Sequence, residues 1–548
     1  MKKNISLHSL LFIFLSGFTF FVHGQGFTPQ VQAHLQKILD SFQNNPNNPF
    51  VGGISAAINV DALAEWNGAA GYAARNVDAQ NNLLAGGTPF TIPTLSRIYS
   101  VTKTFTAPLV IELAGSGAFS LDDPITKYLA ALPVVNPGLN TSVTIRQLLA
   151  HESGFSDYTD EFQLQVAVAF APTHIWTPYE MVSFVHQINT PGAERRYSST
   201  NYILLGAIVE SATGKPIEQH FRERFFDPLH FSSMYLGGRE AHGNREALAA
   251  PHDNISAFNP VFQFTGQPTF PDAYTNIYRF PMDAIVSLAF TSGGIVSNAE
   301  ELAKWGNALF GGRATSKETI DLMMKSIPST TDRDGDHLGY GIFKSTRMSE
   351  TIDFIGHDGV APGYRSVMFY QPDRKMTIVV LTNYHGANAY LIAKALYAAL
   401  PEFLCGNENK KEEKIQVCFK GQNICVDRSA APALIDKGAT LGKCVENLVA
   451  ARTSVMMQGK LPEQILTASP NPFSNSIDLS FRVSDTGPAN LSVYDVSGKR
   501  VANLFDGVRQ KGTIQQVKFS AGTLPAGIYL SRLKTATGIT EQKIVLQR

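Results

Sequence analysis

The stretch Arg97, Ile98, Tyr99, Ser100, Val101, Thr102, Lys103, Thr104, Phe105, Thr106 sets a hydroxyl and an amine three residues apart, at Ser100 and Lys103. On a helix this spacing puts both groups on one face, where they exchange a proton. A serine hydroxyl is a poor nucleophile near neutral pH, and a lysine accepts its proton only where desolvation or a neighbouring cation keeps the amine neutral. Both groups therefore need a protected pocket. The apolar run Phe105 to Leu113 supplies burial at a helix start, although Pro108 removes one helical hydrogen bond. Spacing alone does not suffice. Ser531 and Lys534 repeat it within Ile528 to Leu533, which reads as a strand and would send the two side chains to opposite faces.

The chain of 548 residues is 44% hydrophobic and long enough for several domains. Its formal net charge is zero and no basic stripe stands out, which argues against nucleic acid and against an electrostatic membrane anchor. Lys2 and Lys3 precede the apolar run Leu10 to Val22, and Val22, His23, Gly24 offers a cleavage position, so residues 1–24 read as a secretory signal peptide. The run is short for a bilayer span, and no other segment is long enough, so no stable membrane span is expected. All four cysteines fall between Cys405 and Cys444. In an exported chain they are expected as two disulfides, Cys405–Cys425 with Cys418–Cys444 being one of three possible pairings. Zinc is disfavoured because that interval lacks histidine, and no cofactor is implied.

From Gly52 to about Leu400 short strand-like runs alternate with helical ones. Val51 to Val60 and Thr377 to Thr382 read as strands; Ile145 to Ala150, Ile203 to Thr213, Ala299 to Phe310 and Ala389 to Leu400 read as helices. Terminal strands pairing around an α-rich insertion are the expected plan. After Pro401 the composition changes, through the charged stretch Lys410 to Lys414 and the cysteines, to short β-runs at Leu479 to Val483, Leu491 to Tyr494, Val517 to Ser520, Ile528 to Leu533 and Gln542 to Leu546. These runs read as a small β-sandwich behind a domain boundary. Asp332, Asp334 and Asp336 resemble the opening of a calcium loop, but Gly335 and Phe343 occupy the wrong positions, so a solvated loop is expected.

The stretch around Ser100 resembles the nucleophile motif of the serine hydrolase family that contains class C β-lactamases, D-alanyl-D-alanine carboxypeptidases and related esterases. Ordered matches follow: Leu121 to Pro124; Thr144 to Gly154 with His151 and Ser153; Pro191 and Gly192; then Tyr197, Ser198, Ser199, Asn201; and His357, Asp358, Gly359 before Pro362, Gly363, Tyr364. The resemblance covers about Phe50 to Leu400 and implies an α/β fold of the β-lactamase/transpeptidase type, an antiparallel sheet flanked by helices with an α-rich subdomain. It further implies Ser100 as nucleophile, Lys103 and Tyr197 as the proton-handling pair, and the backbone N–H groups of Ser100 and Val360 as the oxyanion hole. Ser199, His357 and Gly359 would contact substrate, His357 from the opposite wall; His151 is expected to be structural. Where the family commonly has asparagine two residues after the tyrosine this chain has Ser199, and where class C β-lactamases have lysine it has His357. Both changes favour esters over β-lactams.

Ser469 to Phe473, Val493 to Lys499 and Leu524 to Tyr529 resemble the C-terminal sorting domain of type IX secretion, with an immunoglobulin-like sandwich. The expected organisation is signal peptide 1–24, hydrolase 25–400, cysteine-containing connector 401–460 and sorting domain 461–548. The expected protein is a secreted or surface serine hydrolase, delivered via the periplasm by the type IX machinery, that forms an acyl-enzyme with a small-molecule ester or peptide-like substrate. The rival is a non-catalytic, penicillin-binding-like surface binding protein.

Overall fold

The computed structural model describes residues 26–45, 50–240, 247–331, 336–405, 414–444, 465–469, 473–483, 486–495, 500–510, 513–535 and 538–547. The expected signal peptide lies outside the described residues. Eight strands build the main sheet: β1 (Gly53–Val60), β2 (Ala64–Val77), β3 (Leu83–Pro89), β4 (His337–Leu338), β5 (Phe343–Lys344), β6 (Ile355–Ala361), β7 (Tyr364–Gln371) and β8 (Met376–Thr382). Their order is β3-β2-β1-β8-β7-β6-β5-β4, every pairing antiparallel, so the first and last strands of the region meet at the centre, Ile54 opposite Thr382 and Val60 opposite Met376. Both faces are covered, which explains why β1 and β8 are apolar at nearly every position. Ile54, Ile58, Ile378 and Val380 join one core, while Ala57, Val379 and Leu381 join the other.

The first of these cores is closed by α1 (Pro29–Gln43) and by α7 (Ala389–Ala398). The second lies under α2 (Lys103–Gly115), α3 (Ile145–Leu149), α4 (Ser199–Thr213), α5 (Asp283–Gly293) and α6 (Ala299–Phe310). Helix α6 starts where Asn298 caps it, its Oδ1 accepting from the Glu301 N–H at 2.8 Å. It lies close on the sheet because a Cβ at Gly306 would meet Thr377. Asn307, one residue on, donates to the Asn59 carbonyl at 2.8 Å and accepts from Thr377 Oγ1 at 2.8 Å.

Two expectations change. The composition shift after Pro401 does not open a separate core: Phe403, Ile415, Val417, Ala431 and Leu441 pack into the cluster that holds β1 and α7, and the first compact unit runs to Cys444. Burial of alternate residues on Lys414–Phe419 accounts for this, outweighing the charged stretch beside it. The cysteines form Cys405–Cys425 and Cys418–Cys444. Asp336 is not solvated either; it is buried and ion-paired with Arg347, while Asp332 and Asp334 lie outside the described residues.

The second unit begins at Val445. Its strands form a three-stranded sheet (Ile465–Ser469, Ser476–Arg482, Ile514–Ser520) and a four-stranded one (Arg500–Arg509, Gly487–Asp495, Gly527–Thr535, Gly538–Leu546) around Leu479, Leu491, Val493, Leu533 and Ile544. This is the expected sandwich, with two strands more than the sequence pattern reveals. Among the described residues, no helix is long and apolar enough to cross a membrane.

Candidate active site

Ser100 sits in a 3-10 turn, Tyr99–Thr102, that runs straight into α2. Tyr99 before it has φ +43°, a left-handed conformation that costs a non-glycine residue of order 1 kcal/mol or more. The strain turns the serine toward a cavity of about 810 Å3 that Ser100, Tyr197, Ser199 and Val360 all line.

Lys103, in the first turn of α2, is fully buried. Its Nζ lies 3.0 Å from Ser100 Oγ and donates to the Ser292 carbonyl at 2.8 Å, at the end of α5. The rings of Tyr197 and Tyr202 stand 4.9 and 5.5 Å from that nitrogen. Burial pulls the amine down from 10.5 to about 7, against the charges of Asp157 and Asp358. Tyr197 reaches the same oxygen from the other side, its hydroxyl donating to Ser100 Oγ at 2.8 Å. Burial pushes the phenol well above its ordinary value, and the hydroxyls of Ser100 and Ser199 only partly offset this. One serine oxygen thus has a neutralisable amine and a protonated phenol within hydrogen-bond reach, the arrangement that lets a hydroxyl lose a proton as it attacks and a leaving group gain one.

Strand β6 passes against the Ser100 turn. A Cβ on Gly359 would collide with the Ile98 carbonyl and with Ser366 Oγ, so only glycine allows the approach. Ser366 fixes it further by donating to the Ile98 carbonyl at 2.8 Å. Val360 follows at the cavity wall.

His357 departs from the expected position on the opposite wall. It is 2% exposed and absent from the cavity lining; its ring packs 4.5 Å from Phe343 and 5.9 Å from Tyr197, and burial holds the imidazole well below its usual range. Gly359 also lies behind the lining rather than in it. Ser199 does line the cavity, and its N–H donates to Asp157 at 2.9 Å. Asn201 does not replace the missing asparagine: fully buried, it accepts from Ser153 Oγ at 2.6 Å and lies 3.3 Å from His151 Nδ1.

His151 is more closely tied to the site than its sequence setting indicates. Its carbonyl accepts from the Arg196 N–H at 2.8 Å, its Nδ1 accepts from the Ser198 N–H at 3.1 Å, and its ring stacks on Tyr197 at 4.7 Å and 28°. Three consecutive residues centred on Tyr197 are held by one histidine, itself at φ +57°. Asp157 and Ser292 also escape the sequence pattern, because the chain brings them to the site from distant loops and helix ends.

Residues 49–401 match the Beta-lactamase family model, and residues 468–547 match the Secretion system C-terminal sorting domain, which marks the chain for secretion or the cell surface. A D-aminopeptidase of Brucella anthropi is 23% identical over 57% of this chain and 54% of its own length; the chain spans about half the length of the curated relatives it matches. The D-amino acid amidase of Ochrobactrum anthropi SV3 superposes with a TM-score of 0.53 at 26% identity, covering 68% of this chain and 96% of that one. A D-stereospecific amidohydrolase of Streptomyces sp. gives 0.52 at 25% identity, covering 66% and 97%. With the family model spanning most of the first unit and the serine, lysine and tyrosine joined at one oxygen, the chain belongs to the beta-lactamase family.

Proposed function

We propose that the protein is an exported serine hydrolase that forms an acyl-enzyme on Ser100 with an ester or a small peptide-like amide. The observation that carries this is the convergence of Lys103 Nζ and Tyr197 OH on Ser100 Oγ, at 3.0 and 2.8 Å. Lys103, neutral over a large part of the population near pH 7, is the base that takes the serine proton. Tyr197, held protonated by burial, passes a proton to the leaving group and is refilled from Lys103. The N–H groups of Ser100 and Val360 receive the oxyanion, Gly359 permitting the strand to come close enough. Ser199 contacts the substrate, and His357 supports Tyr197 from behind.

Names of similar proteins, D-aminopeptidase and D-amino acid amidase, favour amides of D-amino acids among the peptide-like candidates. Ser199 favours esters, because a hydroxyl cannot supply both the donor and the acceptor of a carboxamide. In this proposal residues 25–400 carry the chemistry and residues 461–548 deliver it. The signal peptide takes the chain to the periplasm, and the type IX machinery takes it across the outer membrane.

Labelling by a fluorophosphonate, read by intact mass, tests the nucleophile. The wild-type protein gains one adduct, and Ser100→Ala gains none while keeping its circular dichroism. An adduct on Ser100→Ala at the wild-type rate, or none on the wild type, would replace this function with that of a binding protein.

A further inference from the structure

The cavity at Ser100 has two unlike walls. Around Tyr197 it carries polar side chains, Arg196, Ser199 and Asp157, beside Phe343 and Leu338. From Tyr99 a different wall begins. Tyr99 packs with Ala289, and α5 carries this surface on through Leu288 and Ile285 to the aromatic cluster that includes Phe262 and Phe280. Leu164 and Val168, on the helix Phe162–Phe170, add to the apolar lining. At about 810 Å3 the space suits a ligand far larger than an acetyl group.

The geometry points to a substrate whose acyl group carries a bulky apolar part and no carboxylate. It lies along the wall of α5 and the Phe262–Phe280 cluster, while the leaving group departs beside Tyr197. This assignment rests on the acyl-enzyme function above, because that function fixes the direction. Ser100 Oγ bonds to the acyl carbon as its proton moves to Lys103. The bond to the leaving oxygen or nitrogen then breaks, and Tyr197 supplies that atom's proton, so the leaving group must sit on the polar side. Water later cleaves the Ser100 ester, releasing the acid and restoring the hydroxyl. The acyl group is left with the apolar wall. A carboxylate on it would be desolvated there, because Tyr99, Leu164, Val168, Phe262, Ile285 and Leu288 offer it no cation.

The test is kcat/KM of the full chain on p-nitrophenyl acetate, butanoate, octanoate and phenylacetate. Burial of each added methylene raises the value by up to roughly fourfold, so octanoate and phenylacetate are expected to exceed acetate by at least about tenfold. Val168→Trp is expected to move the optimum to shorter acyl groups. p-Nitrophenyl adipate, in which a carboxylate replaces the terminal methyl of the hexanoate ester, is expected to react about tenfold more slowly than hexanoate. A flat or falling acyl series would overturn the assignment, as would a steep response found only when the alcohol of acetate esters is lengthened. Absence of fluorophosphonate labelling would instead remove the acyl-enzyme and this assignment with it.

Discussion

Lys103 couples catalysis and stability in opposite directions. The fully buried amine titrates near 7 in the folded protein and at 10.5 when exposed. Below pH 7 both states carry the proton, and the folded state bears the whole cost of a buried ammonium, on the order of 5 kcal/mol. Between about 7 and 10.5 only the unfolded chain binds the proton, so this residue's contribution makes stability rise with pH across that window. Acylation follows the neutral amine: its rate is expected to climb as pH rises toward 7 and to level above it. Lys103→Met is expected to abolish acylation. It should also stabilise the fold at pH 6 by about 2 kcal/mol, because loss of the buried charge exceeds the loss of the hydrogen bond to Ser292. Stopped-flow acylation across pH and thermal melts at pH 6 check the two halves; a Lys103→Met protein that melts lower would contradict them.

His151 gives a second test at the same scale. Asparagine tolerates its left-handed backbone and offers an acceptor, but cannot stack on Tyr197. His151→Asn is therefore expected to lower kcat about tenfold with little change in melting temperature, since proton transfer by Tyr197 contributes at least that much. His151→Ala should lose both activity and stability. Equal kcat in His151→Asn and wild type would make the histidine purely structural.

At the scale of elements, two glycines separate chemistry from packing. Gly359→Ala pushes β6 away from the Ser100 turn, and a lost oxyanion donor costs about 100-fold in kcat. Gly306→Ala drives α6 off Thr377 without touching a group at Ser100, and should lower stability by about 1–3 kcal/mol while kcat is kept. Kinetics and melts on the same two variants distinguish the roles. The elements themselves were legible to different degrees. Ala299–Phe310 follows from its amphipathic period, and β1 and β8 from their apolar runs between turn residues. Arg500–Arg509 has no clean alternation, because both of its faces are half-exposed, so its pattern does not separate strand from loop. Ser100 and Lys103 stand out by their spacing, whereas Tyr197 and the roles of all three come from the family resemblance of their motifs. His151 could not be tied to Tyr197 that way, since the bend that brings it there depends on a left-handed backbone no residue count reveals.

At the scale of the molecule, the residues proposed for acylation all lie in the unit that ends at Cys444, and the cavity is lined by that unit alone. The two disulfides belong to it as well, and the segment they brace shares a core with β1 and α7 through Ile415, Val417 and Leu441. The sandwich that follows has its own core of Leu479, Leu491, Val493, Leu533 and Ile544. A chain cut near Pro462 should therefore keep every group that the acylation chemistry uses, and the full set of apolar contacts that hold them. It should lose only the match to the secretion sorting domain at residues 468–547. Purified, the truncated chain is expected to hydrolyse the same ester within about twofold of the full chain, with a similar melting temperature for the first unit. In the native host it should be retained within the cell envelope while the full chain reaches the surface or medium, which immunoblotting of cell and medium fractions measures. Normal delivery of the truncation would remove the sorting role. A folded truncation with turnover lowered by about 100-fold would assign the sandwich a part in substrate binding, since a loss of that size matches the removal of a group acting in the transition state.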